Sequence, residues 1–219
     1  MNARAIQPRR PAAWDDVFAI AASGARINLA SPDATLVRVA DIADGLSQLN
    51  RWAGATIPAP FSVAQHSSIV ADEMYRIGGP LAGLYGLLHD GHEYLLGDAV
   101  HPFELALAVL WRDARTAIEV LKGRLDVAIH ARFGLAWPPP PAIAKDLAAV
   151  HERAVLTEMR DITRGHEPEI AELEARGVTR LPNFIRPRTA PLAREGYLAR
   201  FDAFGSALGL KRTDQGGLL

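Results

Sequence analysis

The chain has 219 residues, with 24 basic against 25 acidic side chains and no cysteine. This length can bury a full hydrophobic core in one domain. A formal charge of −1 excludes a global field for nucleic acid or an anionic membrane. The missing thiols exclude disulfides, thiolate zinc sites, iron–sulfur clusters and a cysteine nucleophile, so any metal must be held by imidazole, carboxylate or water.

Residues 1–22 read as a loose arm, Pro/Arg/Ala-rich over the first fourteen. No apolar run follows its arginines as a secretory signal would require, and cytoplasmic placement is the default. Ser23 to Pro32 (SGARINLASP) reads as a short extended piece, a small hairpin or a bare loop. In VRVADIADGLSQLNRWAG, the apolar residues Ile42, Leu46 and Leu49 with Trp52 next predict an amphipathic helix, capped near Asp41 and ended by Gly54. After IPAPF, Ser62 is placed to cap a helix through VAQHSSIVADEMYRI, which Gly78-Gly79-Pro80 terminates.

The next helix, LAGLYGLLHDGHEYLLG, is apolar nearly all round in its first half and reads as the buried centre of the domain. Its longest apolar run, Leu81 to Leu88, is too short to cross a bilayer. A long helical pattern follows from Glu104 to Gly134, stopped by WPPPP. Another helix runs from Ile143 to about Ile162, then a short acidic one in EPEIAELEARG, an extended LPNFIRPRTAP and a last helix in LAREGYLARFDAFGSALG. The expected fold class is all-α, a compact helical bundle over residues 23–164 with an extension over 165–219.

The chemistry concentrates in His89-Asp90-Gly91-His92-Glu93 and in Gln65-His66-Ser67 upstream. A lone histidine on a helix is more often structural, but a His-Asp pair closing an apolar helix must find partners. A divalent cation would satisfy both and keep Asp90 ionised. Glu93 lies three and four residues from Asp90 and His89, beside such a cation, where a carboxylate can take up or deliver a proton. His92 points elsewhere and reads as structural or rim-lining. Asp98 reads equally as a helix cap or a second acid.

These residues resemble the HD-domain metal-dependent phosphohydrolases, and most closely their bacterial 5′-deoxynucleotidase-like branch. The likeness rests on SGARINLASP, Asn50-Arg51-Trp52-Ala53-Gly54, FSVAQHS and LLHDGHEYLLGD, and runs from about Ser23 to Ile162. It implies that His66, His89 and Asp90 are metal ligands, and that Glu93 and Asp98 are the acids of the reaction. It further implies that Arg51 contacts phosphate and Trp52 lies near the nucleotide. A guanidinium does bind phosphoryl oxygens bidentately and an indole does offer a stacking face, although a core aromatic is an equal reading of Trp52.

The family's fourth ligand is usually an aspartate seven residues before the glutamate of a Thr-Glu-x-x-Asp signature. Counting back from Thr157-Glu158-Met159-Arg160-Asp161 reaches His151, with Glu152 as the nearby substitute. Three imidazoles and one carboxylate suit a single divalent ion, with Mn, Co, Fe, Ni and Zn all compatible. The expected function is hydrolysis of a nucleotide phosphoester, foremost that of a deoxynucleoside monophosphate. The alternatives are a triphosphohydrolase and a non-catalytic nucleotide-binding sensor. The resemblance also implies a homodimer; the sequence shows no extended nucleic-acid surface and no membrane partner.

Overall fold

The computed structural model describes residues 17–210, so most of the N-terminal arm and the polar tail lie outside the described residues. The chain opens with a hairpin of β1 (Phe18–Ile20) and β2 (Arg26–Asn28), paired antiparallel with Ala19 opposite Ile27. The expected arm therefore already carries a strand at residues 18–20. At the hairpin turn Ser23 donates to Asp41 through both its backbone N–H and its hydroxyl, each at 2.7 Å. Asp41 thus ties the hairpin to α1 (Val39–Gln48) and does not cap that helix, whose N-cap is Arg38.

The helix expected to run on to Gly54 stops at Gln48. Leu49 turns extended, Asn50 bridges to Ser62, and Arg51–Gly54 form a separate tight turn. Trp52 (φ 59°) and Ala53 (φ 50°) both occupy the left-handed region there, a conformation that persists only when surrounding contacts impose it.

Ser62 caps α2 (Val63–Leu88) as expected, its hydroxyl accepting from Gln65 N–H. As expected, Gly78-Gly79 interrupts the helix: Gly78 (φ −131°, ψ 17°) and Gly79 (φ 69°, ψ −160°, open only to glycine) leave helical backbone, so α2 is two helical halves joined at a kink, the second opening at Pro80. The helix expected to reach Gly97 ends at Leu88; residues 89–92 make a turn before the short α3 (Glu93–Leu96). Gly91 is required at this turn, because a methyl group there would lie 2.9 Å from the Leu88 carbonyl oxygen and 3.2 Å from Ile129.

The expected long helix is divided into α4 (His101–Leu110) and α5 (Ala114–Arg132) by extended backbone at Trp111. No glycine or proline marks that break. The helix α4 leaves Val109, Leu110 and the following Trp111 largely uncovered. Then come α6 (Pro141–Ile162), α7 (Glu167–Ala175) and α8 (Ala190–Ala207), close to the bounds their periodicity predicts. The architecture is all-α with one small hairpin, and no described helix is long and apolar enough to cross a membrane.

One core cluster joins Ile42 and Leu46 of α1, Leu84, Leu87 and Leu88 of α2, Leu125 and Ile129 of α5, and Tyr197, Leu198, Phe201 and Phe204 of α8. A second sets Val70 and Met74 of α2 against Val150 and Ala154 of α6. The C-terminal extension therefore completes the central core. Its Phe201 is buried, edge-on to Phe133 at 4.8 Å. Replacing Phe201 by alanine is expected to lower stability by about 3–5 kcal/mol. Denaturant unfolding followed by circular dichroism should give a single shifted transition; a separate early transition for α8 would contradict a shared core.

Candidate metal centre

The break after Leu88 decides the geometry of the His-Asp pair. In a continuing helix adjacent residues diverge by about 100°. In the turn, His89 Nε2 comes within 3.1 Å of Asp90 Oδ2. From the first half of α2, His66 Nε2 lies 3.4 Å from the same oxygen and 3.3 Å from His89 Nε2. From α6, the His151 ring stands edge-on to both other imidazoles, with ring centroids 5.2 and 5.4 Å apart. One donor atom from each of the four residues lies within 4.8 Å of every other. Glu152 faces outward and pairs with Arg176, so His151 is the α6 member of the cluster.

Second contacts orient two of the rings. His66 Nδ1 lies 2.5 Å from Glu158 Oε1, and His89 Nδ1 lies 2.8 Å from the Gly86 carbonyl oxygen. Both partners can only accept, which places the protons on Nδ1 and leaves the Nε2 lone pairs toward Asp90. Asp90 Oδ2 is buried and accepts no hydrogen bond. Two imidazole lone pairs and a carboxylate oxygen converging in a buried site repel one another unless a proton or a cation lies between them. The donor set and the orphaned oxygen fit one divalent ion, with three nitrogens and one oxygen as ligands.

Electrostatics agree with this. Burial, reinforced by His66 and His89, pushes the His151 imidazole down to about 3, keeping it neutral and free to ligate. His66 is likewise lowered by burial and by Arg51. For His89 the cost of burial is outweighed by Asp90, and its pKa rises. Asp90, although buried, is held well below the usual carboxylate range by His89, His66 and His151.

Glu158 organises the surroundings. Its Oε2 accepts from Arg51 Nε and from Trp52 Nε1, both at 2.9 Å, while Oε1 meets His66. Burial would raise this carboxyl, but Arg51 and His66 bring it down to about 2. Arg51 Nη1 reaches to 3.7 Å from Asp90 Oδ2. Trp52, read equally as a core aromatic from the sequence, instead walls a cavity, with His166 at 5.0 Å between ring centroids.

That cavity, of about 610 Å³, brings together Arg51, Trp52, Asp90, Glu93, Asp98 and His151. Burial raises both acids, and Asp90 raises them further: Glu93 to about 10 and Asp98 above its ordinary value. Glu93 Oε2 is buried without a partner. His92 is turned away, bound through Nδ1 to Asp126 Oδ1 at 2.9 Å, a structural contact.

Sequence reasoning used Glu158 only as a marker for counting and missed its role. Two helical turns separate it from His151, with Val155 between on the same face, and that spacing could have shown it. Thr157 and Asp161 face another way and bind the Leu181 and Ile185 N–H groups at 2.8 and 2.9 Å.

Fold and site together define an all-α protein with a His/Asp cluster that could hold a metal ion and is compatible with an HD-type site. No family model matches the chain. It is 32% identical over 185 residues to an uncharacterized protein of Rhodobacter capsulatus, a match covering 81% of this chain and 90% of the other. The chain belongs to the same family as that protein.

Metal loading is expected to release a proton, because Asp90 raises the His89 imidazole and a ligating imidazole must be neutral. Calorimetry in buffers of different ionisation enthalpy should show proton release, and affinity should fall as the pH drops and His89 retains its proton. His66→Ala and His151→Ala should abolish stoichiometric metal, whereas Glu152→Ala should retain it. Glu158→Gln should weaken binding about 10–100-fold, as loss of a ligand-orienting partner does.

Glu158 also sets an acid limit. Its folded value of about 2 lies below the ordinary 4.5, so its stabilisation is complete above about pH 4.5 and is lost as the pH falls through 2. Unfolding free energy of the metal-free protein should decline through that window, and the decline should be shallower in Glu158→Gln.

Proposed function

We propose that this protein is a metal-dependent phosphohydrolase acting on a nucleotide, foremost a deoxynucleoside 5′-monophosphate. The observation that carries the reading is the shared cavity: the four-donor cluster, through Asp90 and His151, an anchored guanidinium, two raised carboxyls and an indole wall border one space. A volume of about 610 Å³ accommodates a nucleotide-sized ligand.

His66, His89, Asp90 and His151 would hold a divalent cation, which would supply Lewis acidity toward a phosphoryl oxygen and water. Arg51 binds the remaining phosphoryl oxygens. Its Nε is committed to Glu158, so the Nη edge is presented in a fixed orientation and little ordering is needed when phosphate arrives. Trp52, locked in its left-handed turn by the bond to Glu158, offers a ring face to the base. Asp98 takes the proton of the attacking water, and Glu93, the more strongly raised acid, returns a proton to the leaving 5′ oxygen.

The deciding experiment is release of inorganic phosphate from a panel of deoxynucleoside monophosphates by metal-loaded protein, with a triphosphate as control. Tripolyphosphate from the triphosphate would instead identify a triphosphohydrolase. Absence of any phosphoester cleavage across Mn, Co, Fe, Ni and Zn would overturn the enzyme reading. Asp98→Asn is expected to lower kcat about 10²–10⁴-fold with the metal retained. Glu93→Gln should lose much less on an aryl phosphate, whose leaving oxygen needs no proton. Arg51→Lys should act mainly on KM.

A further inference from the structure

Gln65 precedes the metal-cluster residue His66 in sequence but faces a different cavity. This second space, of about 310 Å³, lies between α2, the segment 181–188 and α8. The segment is pinned along its length. Leu181 N–H and Ile185 N–H are bound by Thr157 and Asp161, Gln65 Nε2 donates to the Arg186 carbonyl oxygen, and Arg188 N–H donates to Gln65 Oε1, the last two at 2.8 Å. Leu181 and Ile185 are buried, while Phe184, Arg186 and Arg188 are exposed along the cavity.

Four guanidiniums line this space, those of Arg76, Arg186, Arg188 and Arg200, against the carboxylates of Asp72 and Glu73. Arg200 makes a bidentate pair with Asp72, at 2.8 and 2.5 Å, and Arg76 pairs with Glu73. Among the described residues, neither Arg186 nor Arg188 has a carboxylate at ion-pair distance. The cavity therefore carries two positive charges in excess. Two of the guanidiniums converge above α8: a methyl group on Gly196 would lie 3.3 Å from Arg200 Nη1 and 3.8 Å from Arg188 Nη1.

We infer that this cavity is a second anion site, distinct from the metal centre, that binds a phosphate group through Arg186 and Arg188, beside Arg200, whose guanidinium is held in place by Asp72 and the Gly196 carbonyl. Planar guanidinium forks match phosphate oxygens bidentately. The pinned backbone holds Arg186 and Arg188 on one wall before a ligand arrives. Phe184, 65% exposed at the rim, offers a stacking face to a heterocycle attached to that phosphate.

The test is calorimetric titration of inorganic phosphate into the metal-loaded full chain at low salt. Arg186→Ala/Arg188→Ala is expected to lose one bound phosphate per chain, or at least tenfold in affinity for it, while Arg51→Gln retains that component. Coincident isotherms for the wild type and the double variant would overturn the site, as would loss of the same component in Arg51→Gln. Both arginines are exposed, and thermal unfolding of the double variant checks that it is folded. A parallel titration with a non-hydrolysable phosphonate analogue of a deoxynucleoside monophosphate separates two sources of the ligand. Weaker nucleotide binding at this site in Phe184→Ala, with phosphate binding unchanged, identifies a nucleotide; equal nucleotide affinity in Phe184→Ala and wild type identifies free phosphate. Binding is read without turnover, so the outcome is independent of whether the metal centre hydrolyses a phosphoester.

Discussion

The site depends on one buried carboxylate. Glu158 sits near the C-terminal end of α6 with about 1% of its side chain exposed, and three donors from distant parts of the chain satisfy it. An uncompensated charge in that place would cost several kcal/mol. Met by His66, Arg51 and Trp52, the same charge becomes the constraint that draws α2, α6 and the 51–54 turn together. The left-handed conformation of Trp52 and Ala53 is held by this attachment. Arg51 is thereby aimed at Asp90, and His66 keeps its free nitrogen toward the cluster.

The centre is also conditioned by where α2 stops. Its first half supplies His66 and its end supplies His89, and the Gly78-Gly79 break lets both halves pack along α8 and α6. The turn over residues 89–92 then lets neighbouring side chains share a target. Gly91 permits that turn to lie against Leu88 and Ile129. The electrostatics of the cluster are set within it: burial lowers His151, and Asp90 raises His89 against the cost of burial.

The two sides of α2 have contrasting electrostatics. Around His66 the polar groups are largely enclosed and converge as a set of metal-ligating donors. Around Gln65 they are open to water and in excess of positive charge. The Thr157 and Asp161 side chains, one residue before and three after Glu158, hold the segment that forms the second cavity. A single helix, α6, thus braces both places with side chains from adjacent faces.

Much of this was legible from the chain alone. Helical periodicity located α2, α6, α7 and α8, and the Ser62 cap was read directly, because these follow from local spacing and capping chemistry. His66, His89 and Asp90 were singled out because a His-Asp pair at the end of an apolar helix requires a partner. Other features were decided by tertiary structure. The early end of α1 and the division at Trp111 carry no breaker residue, and Trp52 was left between core and cavity by its helical spacing. The choice of His151 over Glu152, the hub at Glu158 and the place of α8 in the core depended on groups far apart in sequence. The physical reason is that sequence specifies which side chains each turn presents, whereas the partner of a buried charge is set by whichever distant segments packing brings against it.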